Sequence, residues 1–152
     1  MIARDNILKL AGIEEEPASY QLQEQIGFVL RRAHQRHLAI FAARIADLTP
    51  PQFAAIAMLH EKGDTSQNHL GQMVAMDAAT IKGVIDRLKA RGLVSVDKDK
   101  SDRRRLIVRL SSEGKRAVQE LLPLAREITD ETISPLTQRE TETLSRLLNK
   151  IA

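Results

Sequence analysis

Apolar residues recur at helical spacing along most of the chain and alternate in one short stretch only. Ile2, Ile7, Leu8 and Leu10 open the sequence with a short periodicity that predicts an arm or small helix, which Pro17 separates from the next apolar stripe. From Tyr20 to about Ala46 the apolar positions Leu22, Ile26, Val29, Leu30, Ala33, Leu38, Ile40, Phe41 and Ile45 predict one long helix. Its other face carries Gln23, Glu24, Arg31, Arg32, Gln35 and Arg36. Such a stripe is more than a small domain covers alone, so part of it is expected to face a second subunit. Thr49-Pro50-Pro51-Gln52 reads as a capping box with proline in the first turn. It predicts a helix through Phe53, Ile56, Ala57 and Leu59 that Gly63 ends.

The next stretch, Thr65 to Leu110, changes period twice. Ser66 is a candidate cap for a short helix bearing Leu70, Met73 and Val74, and a tight connection comes after it at Ala75 and Met76. Asp77 then caps a second helix with Ile81, Val84, Ile85 and Leu88 on one face, which Gly92 stops. Two alternating runs come next, Leu93 to Val96 and Leu106 to Leu110, around a charged tip from Asp97 to Arg105. Helix, short turn, helix and hairpin is the order of a winged helix-turn-helix. Ser111 to Gly114 restart a helix with Ala117, Val118, Leu121, Leu122 and Ile128 on its apolar side, and Pro123 is expected to kink or divide it. Thr137-Gln138-Arg139-Glu140 is a further capping box ahead of Leu144, Leu147, Leu148 and Ile151. The expected fold class is mainly α with a small β-hairpin wing (α+β). Residues 49–114 form the winged lobe, and 20–46 and 115–152 supply dimerisation helices, all within one domain spanning 1–152.

Composition adds exclusions. With 43% hydrophobic and 28% charged residues the chain is globular. No apolar run reaches the roughly 20 residues that span a bilayer, and no signal-peptide core stands at the N-terminus. A cytoplasmic location with no membrane partner is expected. There is no cysteine, which removes disulfides and thiolate metal sites.

The net charge of +3 hides an uneven distribution. Lys82 to Arg109 hold ten Lys or Arg against four Asp, so the remainder carries a net negative charge. A concentrated basic block on a neutral or acidic body is an electrostatic footprint for a polyanion. On its own such a run also fits a solvated hairpin, but here it coincides with the helix and hairpin tip that a winged helix presents to DNA.

The residues Leu48-Thr49-x-x-Gln52-Phe53, Leu70-Gly71, Met76-Asp77-x-x-Thr80, Arg87-Leu88-x-x-Arg91-Gly92-Leu93-Val94, Asp102-Arg103-Arg104 and Leu110-Ser111-x-x-Gly114 together resemble the MarR family of bacterial transcription regulators. The resemblance is close from about Asp47 to Gly114 and looser in the flanking helices. It implies a homodimer with one winged lobe per subunit, reading a pseudo-palindrome in double-stranded DNA and repressing transcription until a ligand releases it. The N-terminal turn of the Asp77 helix is expected at base edges, with Ala78, Ala79 and Thr80 small enough for close approach and for contact with thymine methyls. Lys82 and Arg87 are expected to hold phosphate, or a base edge in the case of Arg87. Ser66 and Gln67 are expected to donate to phosphate. The resemblance further implies a pair between Arg104 and Asp77 that braces wing against helix, although Asp77 as a helix cap alone is an open alternative. Lys98, Lys100, Arg103 and Arg105 complete the wing cations, with Arg103 or Lys100 available to the minor groove.

Relatives of this family bind small aromatic acids in a crevice between dimer layer and DNA lobe. Here Gln25-Ile26-Gly27-Phe28, leading into the run from Arg31 to His37, is similar to regulators of nicotinate catabolism, which respond to hydroxylated pyridine carboxylates such as 6-hydroxynicotinate. Arg31, His34 and His37 are therefore candidates for a ring and its carboxylate. The same histidines equally suit core boundary or dimer contacts, and the pairs His34/His37 and His60/His69 lack the acids and cysteines that usually complete a metal site. No cofactor or metal is expected.

An enzyme is disfavoured: the chain has no phosphate-binding glycine loop, no Gly-x-Ser-x-Gly and no His-Glu-x-x-His. With 3% aromatic residues, stacking platforms for single-stranded RNA are scarce. A winged helix kept only for protein interaction is the other alternative, and the basic wing argues against it.

Overall fold

A computed structural model describes residues 19–152, so the expected N-terminal arm lies outside the described residues. The chain divides into two compact units, Met1–His34 and Gln35–Ala152. In the first, a 3₁₀ turn at Leu22–Glu24 precedes α1, Ile26–Arg44, whose second half belongs to the larger unit. The predicted helix from Tyr20 is thus shorter, interrupted at Gln25, whose extended backbone closes the 3₁₀ turn. Tyr20, Leu22, Ile26, Val29 and Leu30 are exposed.

The larger unit continues with α2 (Pro50–Lys62), β1 (Thr65–Ser66), α3 (Gln67–Met73), α4 (Ala78–Ala90), β2 (Val94–Lys98), β3 (Leu106–Leu110), α5 (Ser112–Ile133) and α6 (Gln138–Ile151). Local chemistry sets most boundaries. Thr49 and Gln52 cap α2 reciprocally, Ser66 accepts from His69 N at the start of α3, and Asp77 accepts from Thr80 N at 2.7 Å at the start of α4. Ser111 accepts from Gly114 N, and Thr137 pairs with Glu140 in a second capping box. Gly63 and Gly92 leave their helices at φ +83° and +73°, where a side chain is disfavoured.

The sheet has three antiparallel strands in the order β1-β3-β2. Thr65 and Ser66 pair with Val108 and Ile107, and Val94 to Lys98 pair with Leu110 to Leu106. The wing is therefore a hairpin plus a two-residue third strand, and Asp97 and Lys98, expected in the tip, extend β2 instead. Strand β1 is too short for alternation to reveal. Ile56, Leu70, Ile81, Ile85, Leu88, Val108 and Val118 are fully buried, drawing α2, α3, α4, β3 and α5 into one core. Each such side chain contributes about 1.5–3 kcal/mol by leaving water. Phe41 and Phe53 meet edge to face at 6.1 Å.

Pro123 neither ends nor divides α5, which runs unbroken through it. Proline removes one ladder donor, but Pro123 is exposed and the turns on both sides are anchored by the buried Val118 and Ile128. Helix α6 buries no residue: Leu144, Leu147, Leu148 and Ile151 form an exposed apolar stripe.

Candidate nucleic-acid interface

Helix α4 stands on its buried face, Ile81, Val84, Ile85 and Leu88, and turns the rest outward. Ala78, Ala79 and Thr80 are all exposed in its first turn. Asp77 is committed there as the cap: the Thr80 N–H, and secondarily the Thr80 hydroxyl, hold its carboxyl below the usual carboxylate range. Lys82 forms an ion pair with Asp86 one turn on, at 2.6 Å. Arg87 folds back along the helix, its Nη1 3.6 Å from where a Cβ on Gly83 would lie.

The wing tip is locally organised. Asp99 accepts from Ser101 N and Oγ, each at 2.9 Å, and these bonds hold its carboxyl low. Arg105 lies 3.8 Å from Asp99 and donates its N–H to Asp102 O, while Arg104 N donates to Asp102 Oδ1. Lys98, Lys100, Arg103, Arg104 and Arg105 are exposed. The expected bond between Arg104 and Asp77 is not made: among the described residues the Arg104 guanidinium has no acidic partner within 4.0 Å, and Asp77 uses Oδ1 to cap its own helix. Arg104 and Arg105 instead line a groove of about 390 Å³ with Ser66, Gln67, Asn68 and Leu106. Wing and α3 thus meet where a strand of polyanion could lie. Ser66 is only 8% exposed, so it serves chiefly to position α3, and Gln67 and Asn68 present the polar edge.

Arg109, to which the hydrophobic pattern gives no role, clamps the sheet: Nε donates to Asp64 at 2.7 Å and Nη1 to Asp97 at 2.9 Å. These bonds raise its pKa further above an already high value. Its only signal in the sequence is a basic residue in an alternating strand, whereas its partners come from two other segments.

The remaining candidates lie on α1. Arg31 and His34 are exposed in the N-terminal unit, with no hydrogen bond or ion pair among the described residues. In the larger unit, Arg36 donates to the Thr132 and Glu131 carbonyls at 2.7 and 2.9 Å, satisfying the last turn of α5. His37 Nδ1 lies 3.0 Å from Thr132 Oγ1, whose single proton goes to Ile128 O at 2.7 Å. Among the described residues no group of three His, Cys, Asp or Glu is arranged to hold a metal. No helix there is long and apolar enough to cross a membrane.

Residues 48–106 match the MarR family model. The HTH-type transcriptional repressor NicR of Pseudomonas putida is 40% identical over 134 residues, covering 87% of this chain and 85% of its own. The chain belongs to the MarR family. It is a winged-helix DNA-binding transcriptional regulator and not an enzyme. Among solved MarR-like structures, a probable transcriptional regulator from Pseudomonas aeruginosa is 48% identical, with TM-score 0.84 over 87% of this chain and 100% of that one. Bordetella bronchiseptica BpsR, solved to explain regulation of its DNA binding by 6-hydroxynicotinic acid, is 40% identical with TM-score 0.85 over 88% of this chain and 97% of that one. The MarR assignment agrees with the winged fold and with the resemblance to regulators of nicotinate catabolism.

Proposed function

We propose that this chain is a homodimeric repressor that binds a pseudo-palindromic operator and is released by a small aromatic acid, a hydroxylated pyridine carboxylate of the 6-hydroxynicotinate type. The observation that carries the DNA half is the groove shared by α3 and the wing, lined by Arg104 and Arg105 beside the exposed first turn of α4. Phosphate neutralised along such a groove fixes orientation, leaving the helix to read bases. The dimer rests on α6, whose exposed leucines have no cover within the chain, and on the exposed apolar residues from Tyr20 to Leu30.

The effector reading is supported by the 40% identity to both NicR and BpsR, the latter regulated by 6-hydroxynicotinic acid. Arg31, His34 and His37 are the candidate residues. An effector that binds only the state unable to span two grooves shifts the population off DNA. The test is titration of 6-hydroxynicotinate and related acids against the complex with DNA from upstream of the protein's own gene. Release by one acid, lost in single Ala variants of Arg31, His34 or His37, supports the reading. Tight binding that no acid releases removes the effector, and no binding at low salt removes the operator.

A further inference from the structure

At about 100° per residue, Ala79, Gly83, Asp86 and Ala90 fall on the line of α4 opposite its buried face of Ile81, Val84, Ile85 and Leu88. The outermost ridge of the helix is therefore made of small residues and one carboxylate. Lys82 and Lys89 flank it on one side, Thr80 and Arg87 on the other.

Two observations bear on what this ridge meets. First, glycine inside a helix is disfavoured relative to alanine, yet nothing among the described residues demands Gly83. A Cβ there would meet only the flexible end of Arg87, at 3.6 Å, an ordinary contact. Gly71, by contrast, faces Met76 O and Ile81 at 3.1 Å, where internal packing supplies the reason. Second, Asp86 is a negative charge at the centre of the face that the MarR assignment turns toward a polyanion. Lys82 neutralises it through Oδ2 at 2.6 Å, and no donor engages Oδ1 among the described residues.

We propose that Asp86 reads a base, its free carboxylate oxygen accepting the N4 amino group of a cytosine in the major groove. Gly83 supplies the clearance that lets the ridge descend, and Lys82 cancels the charge that would otherwise repel the flanking phosphates. A carboxylate is the acceptor that suits the cytosine amino group, whereas an asparagine suits adenine. The proposal deepens the DNA-binding reading and rests on α4 entering the groove.

Selection from a randomised duplex library with the wild-type dimer, Asp86→Ala, Asp86→Asn and Gly83→Ala tests it. The expected result is a C·G preference at one symmetry-related position that Asp86→Ala erases, with operator affinity falling roughly 5- to 150-fold and affinity for random duplex unchanged or higher. Asp86→Asn, nearly isosteric, shifts that position toward A·T. Gly83→Ala raises Tm and weakens operator binding. If Asp86→Ala keeps the base preference, whether affinity is unchanged or rises equally for all duplexes, Asp86 is no reader and the proposal falls. Gly83→Ala with operator affinity intact removes the close approach. A wild-type dimer that selects no sequence overturns the groove assignment of α4 itself, and this proposal with it.

Discussion

Gly114 of α5 backs directly onto the Leu93 carbonyl, so closely that a Cβ at residue 114 would penetrate that oxygen, with Leu110 Cδ2 a further 3.2 Å neighbour. The contact is backbone against helix, and neither side can rotate away. Ser111 holds the same junction from the other direction, accepting Gly114 N and donating to Gly92 O at 2.6 Å. Gly114→Ala should therefore destabilise the fold by about 1–3 kcal/mol, the usual cost of overpacking, measured by urea unfolding. An unchanged midpoint would mean that α5 slides freely on the sheet.

Acid stability should depend on two helix caps and on the wing-tip turn. Thr80, Ser101 and Thr137 donate to Asp77, Asp99 and Glu140 and lower all three pKa values. A carboxylate lowered by folding contributes fully above its unfolded pKa, about 4, and loses that contribution as pH falls through the folded value. Asp77→Asn keeps a capping acceptor but does not titrate. Its Tm should match the wild type more nearly in acid than at pH 7, and a parallel offset at all pH values would contradict the assignment.

Arg104 shares a groove with Gln67 and Asn68 and is not held by Asp77. Arg104→Ala should weaken operator and random duplex by the same factor and reduce the slope of log K against log salt by about 1. A loss confined to the operator would instead identify a base contact.

The apolar stripe of α6 makes a further prediction. Leu147 is 46% exposed in the isolated chain, so a charge there costs the monomer little and a buried dimer face a great deal. Leu147→Glu should give a folded monomer by sedimentation velocity, with operator affinity sharply reduced. A dimer that survives the substitution places the interface elsewhere.

Legibility in the sequence depended on range. Thr49, Ser66, Asp77 and Thr137 were legible as caps because each bonds a backbone N–H three residues away. Basic wing residues were legible as a charge block beside a helical period. Bonds between distant segments were not: His37 meets Thr132, Arg36 reaches Glu131, and Arg109 joins Asp64 to Asp97 across the sheet. The pairing assigned to Arg104 and Asp77 by resemblance is not made: Asp77 Oδ1 caps its own helix through Thr80 N, and Arg104 lines the groove beside α3. Asp86 was hidden differently, since its i,i+4 pairing with Lys82 reads as an ordinary surface bridge until the helix face is placed.

Ser66 belongs at once to the sheet and to the helix-turn-helix: its backbone pairs with Ile107 and its hydroxyl caps α3. A one-residue insertion within β3 would shift that pairing and turn every wing side chain over, pulling the α3 cap out of place. Between Asp99 and Arg105 the backbone closes on itself, Asp99 N donating to Arg105 O, and no residue there pairs with β1. A change of length at the tip is therefore expected to leave the Ser66 junction in place, whereas a change within the strands is not.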